Sequence, residues 1–476
     1  MTVELTGHGL TLDAVVRVAR ASERVELSNG AVARMRERRV VVERASREGT
    51  PTYGVTTGVG MRRDADVSAS DARAFNRSAI SGHLVGLGPP AADEIVRAAL
   101  LCHANALAAG YQGARPEIAL AYVSALNDSN VPRVSSLGTV GQSDLALNAD
   151  LAHGVLGELD LEAGEALALL NGNAFSTGHA ALAVADASAL MRWIDAAAAL
   201  DFEAFRGNVG ALHPEIAVAR HSDGLGETLP RLHSLLDGSA LWEPGAARFL
   251  QDPLTFRCVP QVHGAARDAL RFVEGQVVVE LNAHQGNPLI VPAEGRLVSV
   301  GNFDSQALAT ALDLARLALA PVLTAAVERT LKLLSPRFSG LTEGLVVTSG
   351  SWQDGLSEVG VAAQAVAAEA RLLAQPVSVE LASTMQESGV EDRTSLSSLA
   401  ARRLAEMLDL GARLVAVELV VASQAIDLRG DLTLGSGAAT AHAFVRECVP
   451  FLDSPELMPL PLEKLASTIR SSPAPV

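Results

Sequence analysis

Three short runs pair glycine with side chains that could bind a ligand or move a proton. The first is Tyr53-Gly-Val-Thr-Thr-Gly-Val-Gly60, headed by one of only three tyrosines in the chain. Its glycines rule out a stable helix and let backbone approach a ligand closely; a surface loop with a packed tyrosine has the same composition. A phenol ionises near a pKa of about 10, so Tyr53 could act as a base only with a cation or amide dipoles beside its oxygen. The second run is Gly138–His153, where Gln142-Ser143-Asp144 precedes an Ala/Leu-rich helix. The third is Asn171-Gly172 at the end of an apolar helix, where Asn-Gly is sufficient as a C-cap. His83 stands alone after Gly82, and a lone histidine is more often structural than functional. Glu387 and Glu391 sit in a charged run that also reads as a solvated loop.

The elements that must position these residues are helices. The chain has 476 residues, 49% of them apolar but only 4% aromatic, so Ala, Leu and Val fill the core. That composition suits close helix packing and argues against an all-β protein. Helical spacing predicts helices at 12–21, 31–47 (with Val40–Val42 inward), 99–113, 116–127, 180–201, 306–334, 355–373 and 400–428, after a strand at 2–5. Glu328 and Arg329 read as adjacent solvated or interface charges, and 467–476 as a frayed tail. The net charge of −16, without a basic run, excludes binding to a phosphate backbone. The three separated cysteines lack metal-ligand spacing and suit a reducing compartment. No signal peptide or uninterrupted apolar span is read, so the expectation is a cytoplasmic protein with no metal and no membrane.

These runs, in this order, resemble the aromatic amino acid lyase family of histidine, phenylalanine and tyrosine ammonia-lyases and aminomutases. The Tyr53 run resembles the family's Tyr-Gly-Val-Thr/Asn-Thr-Gly-Phe-Gly loop. Glu165-Ala-Leu-Ala-Leu-Leu-Asn-Gly172 resembles Glu-Gly-Leu-Ala-Leu-Leu-Asn-Gly. Further segments, 251–261, 280–289, 301–303 and 385–396, extend the likeness to about residue 430. The resemblance implies a mainly α fold: a long helical bundle core of the histidase/phenylalanine ammonia-lyase type with a smaller N-terminal region. The division expected is 1–200, carrying the Tyr loop, and 201–476, the bundle. It also implies a homotetramer whose sites combine loops from different subunits. By the same resemblance Tyr53 abstracts a β-proton, and Glu391 (or Glu387 in a shifted register) lies near the substrate's ring or amine. Arg257 grips a carboxylate, Phe303 flanks the substrate, and His83, Asn171 and Gln251 contact it. Asn282 and Asn287 pin the loop.

The chain departs from the family at two places. The Ala-Ser-Gly triplet that cyclises to methylidene-imidazolone is replaced by Gln142-Ser143-Asp144, or is one residue short, and the family's second tyrosine is Leu254. Ring closure needs an unhindered amide nitrogen, which glycine offers and aspartate does not. The expectation is therefore a linear segment with Ser143 still at the site, no cofactor, and a lyase that expels an α-amine-type group from a small amino-acid-derived substrate. A quaternary ammonium of a histidine betaine leaves more readily than ammonia. The alternatives are a conventional ammonia-lyase or aminomutase with an unusual cofactor, and a non-catalytic assembly partner.

Overall fold

The computed structural model describes residues 2–157, 159–350, 352–379, 389–430, 432–454 and 457–475. The chain is mainly helical, with short two-stranded sheets such as Thr2–Leu5 on Arg24–Leu27, paired in parallel. Helix boundaries follow local chemistry. Helix Asn29–Glu48 starts where the Ser28 side chain accepts from the Ala31 amide and stops at Gly49 in the left-handed region. Only Val42 of its valine run is fully buried, and Val40 is exposed. Consecutive helical residues are about 100° apart, so three in a row cannot share one face.

The residues fall into two compact units: 1–185 with 273–313 and 376–402, and 186–272 with 314–375 and 403–476. These are not the contiguous segments 1–200 and 201–476 expected above. Helices Ala174–Phe205, Val259–Leu281, Gln306–Leu334 and Ser397–Arg429 each begin in one unit and end in the other.

In the first unit, helix Asp93–Ala108 is buried along most of its length. A smaller core of Val42, Val55, Ala72, Ala163 and Ile290 fastens the tyrosine run to helices on either side of it in sequence. Asn282 pins the N-terminal segment rather than a site loop: its side chain accepts from the Leu10 amide and donates to the Leu10 carbonyl.

In the second unit, Arg329 is wholly buried, where the sequence reads as giving a solvated or interface charge. Its guanidinium bonds Asp201 at 2.7 Å and Glu418 at 2.6 Å, both also buried. Glu328 faces solvent and pairs with Lys332 one turn on, so the two adjacent charges have opposite fates. Helix Gln306–Leu334 is long and apolar enough to cross a membrane by length and composition, although Asp313 and Arg316 interrupt its apolar run. Its buried charges belong to a protein interior: Asp313 accepts from the Val377 and Ser378 amides, and Arg316 donates to the Leu373 carbonyl. The tail is helical over Leu462–Ser471, with Leu465 and Ile469 buried.

Candidate active site

The tyrosine run is stitched together by its own backbone. The Val55, Thr56 and Thr57 amides converge on the Thr52 carbonyl, and Gly58 N–H donates to Ala65 O at 2.8 Å. Gly54 lies at φ 69°, where its missing side chain leaves room for Leu167. The chain then curls until the Gly60 amide donates to the Tyr53 phenol oxygen at 2.9 Å. An N–H aimed at that oxygen stabilises it when it carries negative charge, as a proton-abstracting phenolate must.

Tyr53 lines a cavity of about 130 Å³ together with His83, Gln142, Ser143, Asn171, Asn287, Phe303 and Glu391. His83 ends helix Ala72–Gly82, and its Nδ1 lies 2.7 Å from the Ala79 carbonyl. A carbonyl cannot donate, so Nδ1 carries a proton and Nε2 of the neutral ring is left as an acceptor. Asn171 donates to the Asn287 carbonyl at 2.5 Å, and the Asn173 amide group donates to the Phe303 carbonyl at 2.6 Å. These bonds tie the Asn171–Asn173 segment to the cavity-lining residues Asn287 and Phe303.

Ser143 sits at φ 63°, with its hydroxyl oxygen accepting from the Gly172 amide at 2.9 Å. Asp144 follows at the head of helix Leu145–Leu156 and is completely buried. Its carboxylate accepts from the Ser176 amide at 2.8 Å, the Ser176 hydroxyl at 2.7 Å and the Thr139 hydroxyl at 3.2 Å. Burial pushes its pKa up to about 6 against those donors.

Six of the eight residues singled out in the sequence thus meet in one cavity: Tyr53, His83, Ser143, Asn171, Phe303 and Glu391. Gln251 and Arg257 belong to the other unit and do not line it. Arg257 donates to the Asp252 carbonyl at 2.7 Å. Glu387 lies outside the described residues. Sequence reasoning passed over Gln142 as a wall residue and over the apolar lining of Val59, Leu145, Leu167 and Leu170. Leu167 and Leu170 read only as helix core, although their position just before Asn171 was a usable signal.

The chain matches the aromatic amino acid lyase family model over residues 10–162 and 156–447. It is 32% identical over 491 residues to histidine ammonia-lyase of Alkaliphilus metalliredigens, covering 98% of this chain and 96% of that protein. Against histidine ammonia-lyase of Clostridium tetani it is 34% identical, covering 95% and 92%. Among solved structures, ergothionase of Treponema denticola, an ergothioneine-degrading enzyme, superposes with a TM-score of 0.92 at 26% identity over 99% of this chain and 98% of that one. Histidine ammonia-lyase of Trypanosoma cruzi gives a TM-score of 0.89 at 28% identity, covering 99% and 94%. This chain belongs to the aromatic amino acid lyase family. Membership supports carbon–nitrogen lyase chemistry, as an ammonia-lyase or aminomutase, on histidine or an aromatic amino acid.

Membership also corrects the expectation of no cofactor. The histidine ammonia-lyases of this family normally use methylidene-imidazolone, so kinship points toward the group. At the place where the family forms it, this chain presents Gln142-Ser143-Asp144. The Asp144 amide, the nitrogen that would close on the Gln142 carbonyl, donates to the Gly172 carbonyl at 2.8 Å instead. Its carboxylate is committed to Ser176. The three residues as folded do not fit the ring that Ala-Ser-Gly makes.

Proposed function

We propose that the chain is a carbon–nitrogen lyase acting on a histidine-like α-amino acid derivative, with Tyr53 as the base. The observation that supports this best is the phenol oxygen of Tyr53, backed by the Gly60 amide and facing a small cavity shared with His83, Asn171 and Glu391. Tyr53 takes the β-proton; the electrons of that C–H bond form the Cα=Cβ double bond; the C–N electrons leave with the amine. His83 Nε2 accepts from an imidazole N–H, Phe303 packs on the ring, and Asn171 holds the substrate by its amide. Glu391 faces the cationic α-nitrogen until it departs. Ser143, held against Gly172, hydrogen-bonds the substrate. A trialkylammonium leaves as a neutral amine, and the likeness to ergothionase favours this substrate form. Gln251 and Arg257 complete the site of a neighbouring subunit in a homotetramer, where the Arg257 guanidinium suits a carboxylate. We place the protein in the cytoplasm, where Cys102, Cys258 and Cys448, all unpaired, stay reduced.

The test is turnover of L-histidine and of its Nα-trimethyl betaine, followed by ultraviolet absorbance of the conjugated product and identification of the amine released. The betaine is expected to yield trimethylamine. Tyr53→Phe is expected to lower kcat by about 10²–10⁴-fold while ligand binding persists. No turnover of either substrate, or full activity in Tyr53→Phe, overturns the reading.

A further inference from the structure

Close in sequence to cavity-lining residues, two segments converge on the carbonyl of a third. The Ser305 and Ser395 hydroxyls each lie 2.9 Å from the Gly141 carbonyl oxygen. Ser305 Oγ is also 2.8 Å from Ser395 Oγ and 2.9 Å from Ser397 Oγ. All three serines are completely buried. A carbonyl has no proton to give, so in each of the two contacts with Gly141 the serine hydroxyl is the donor and the carbonyl the acceptor. The serines sit close in sequence to cavity-lining residues: Ser305 follows Phe303 by two positions, Ser395 follows Glu391 by four, and Gly141 immediately precedes Gln142 and Ser143.

The same segments carry backbone conformations that L-residues rarely adopt. Ser143 is at φ 63°, and Leu396, between two of the clustered serines, is at φ 58°. Such positions cost on the order of 1–2 kcal/mol each and persist only where the surroundings impose them. The bonds that impose this one are on view. The Leu396 amide donates to the Val140 carbonyl at 2.9 Å, Gln142 and Asp304 form a backbone bridge, and the Arg393 guanidinium reaches Asp304 at 3.2 Å. Gly141, at φ 87°, has no room for a side chain, because a Cβ there would collide with Ser395 Oγ.

We infer that the Ser305–Ser395–Ser397 cluster on the Gly141 carbonyl is a positioning device, which fixes Ser143, Phe303 and Glu391 relative to one another. Its catalytic consequence rests on the lyase reading; its mechanical consequence does not. Removing the Ser305 or the Ser395 hydroxyl takes away one of the two donors to a buried carbonyl and cuts the tie between its segment and Gly141.

The test is hydrogen exchange on the full chain, comparing wild type with Ser395→Ala, Ser305→Ala and the hydroxyl-retaining Ser395→Thr. In each alanine variant, exchange is expected to rise in all three segments, 139–144, 303–306 and 391–397, while helix Asp93–Ala108 keeps its protection. Ser395→Thr is expected to restore protection. A rise confined to the segment bearing the substitution overturns the inference, and this readout needs no turnover. In kinetics, Ser395→Ala is expected to lower kcat about tenfold or more with KM changed less than about twofold. An unchanged kcat in a protein whose wild type turns over substrate also overturns it, whereas an inactive wild type counts against the lyase reading alone.

Discussion

The side chain whose environment departs furthest from its solution chemistry in the candidate site is Asp144. Its folded pKa, about 6 against an ordinary 3.8, means that the native state holds the proton more tightly than the unfolded chain. The sign follows: with respect to this group, stability is greatest below the unfolded value. It falls as pH rises from about 4 to about 6, and the cost is then constant at about 3 kcal/mol. Asp144→Asn cannot ionise and is expected to lose that pH dependence. Thermal melts of both proteins from pH 4 to 7 check this, and parallel curves refute it. Tyr53 and His83 were visible as residue types, but the Gly60 amide on the phenol and the Ala79 carbonyl on the imidazole were not. Those partners set what each ring can do, and they come from backbone, which has no signature in a sequence.

Among the elements, the tyrosine run shows how a glycine carries function without chemistry of its own. A Cβ on Gly54 would approach Leu167 to 2.5 Å, and φ 69° is unfavourable for any L side chain. Gly54→Ala is expected to cost about 1–2 kcal/mol of stability. It should lower kcat/KM about tenfold or more, because Leu167 lines the cavity and Tyr53 is the adjacent residue. Steady-state kinetics beside a melting curve separate the two effects. In the second unit, helices Ala174–Phe205, Gln306–Leu334 and Ser397–Arg429 are clamped by one guanidinium and two carboxyls. Burial, and then the Glu418 carboxylate, push Asp201 well above the usual carboxylate range. Arg329→Met strips the counter-charge and is expected to cost about 3–5 kcal/mol. Asp201→Asn keeps a hydrogen-bonding group of the same shape and is expected to cost less, about 1 kcal/mol. Denaturant midpoints rank the pair, and equal losses refute the assignment. The helices were legible because apolar spacing records burial. The clamp was not, because its three members lie far apart in sequence.

For the whole molecule, the sequence-derived site does not close within the cavity of one chain: six of its residues line it and two do not. If Gln251 and Arg257 serve a neighbouring subunit, two inactive variants must complement each other. Tyr53→Phe and Arg257→Ala, each nearly inactive alone, are expected to regain roughly a quarter of wild-type activity when co-expressed in equal amounts, since both intact residues then meet by chance in that share of sites. Sedimentation is expected to show four chains. Additive residual activity refutes the composite site. The expected division into 1–200 and 201–476 assumed that a unit is a continuous stretch. Each observed unit is assembled from three separate stretches of chain, a property of three-dimensional packing that linear composition does not encode.

The amino-acid order alone determined the helical class, the positions of most helices, and the glycine-flanked runs that carry Tyr53, Ser143 and Asn171. Periodicity and local backbone freedom are short-range properties, and neighbouring residues suffice to express them. Only the tertiary structure decided that Arg329 is buried, that the Asp144 amide is bonded to Gly172, and that two serines meet on the Gly141 carbonyl with a third beside them. Each depends on which distant groups share a desolvated space, and in that space an unpaired charge or carbonyl is too costly to leave alone.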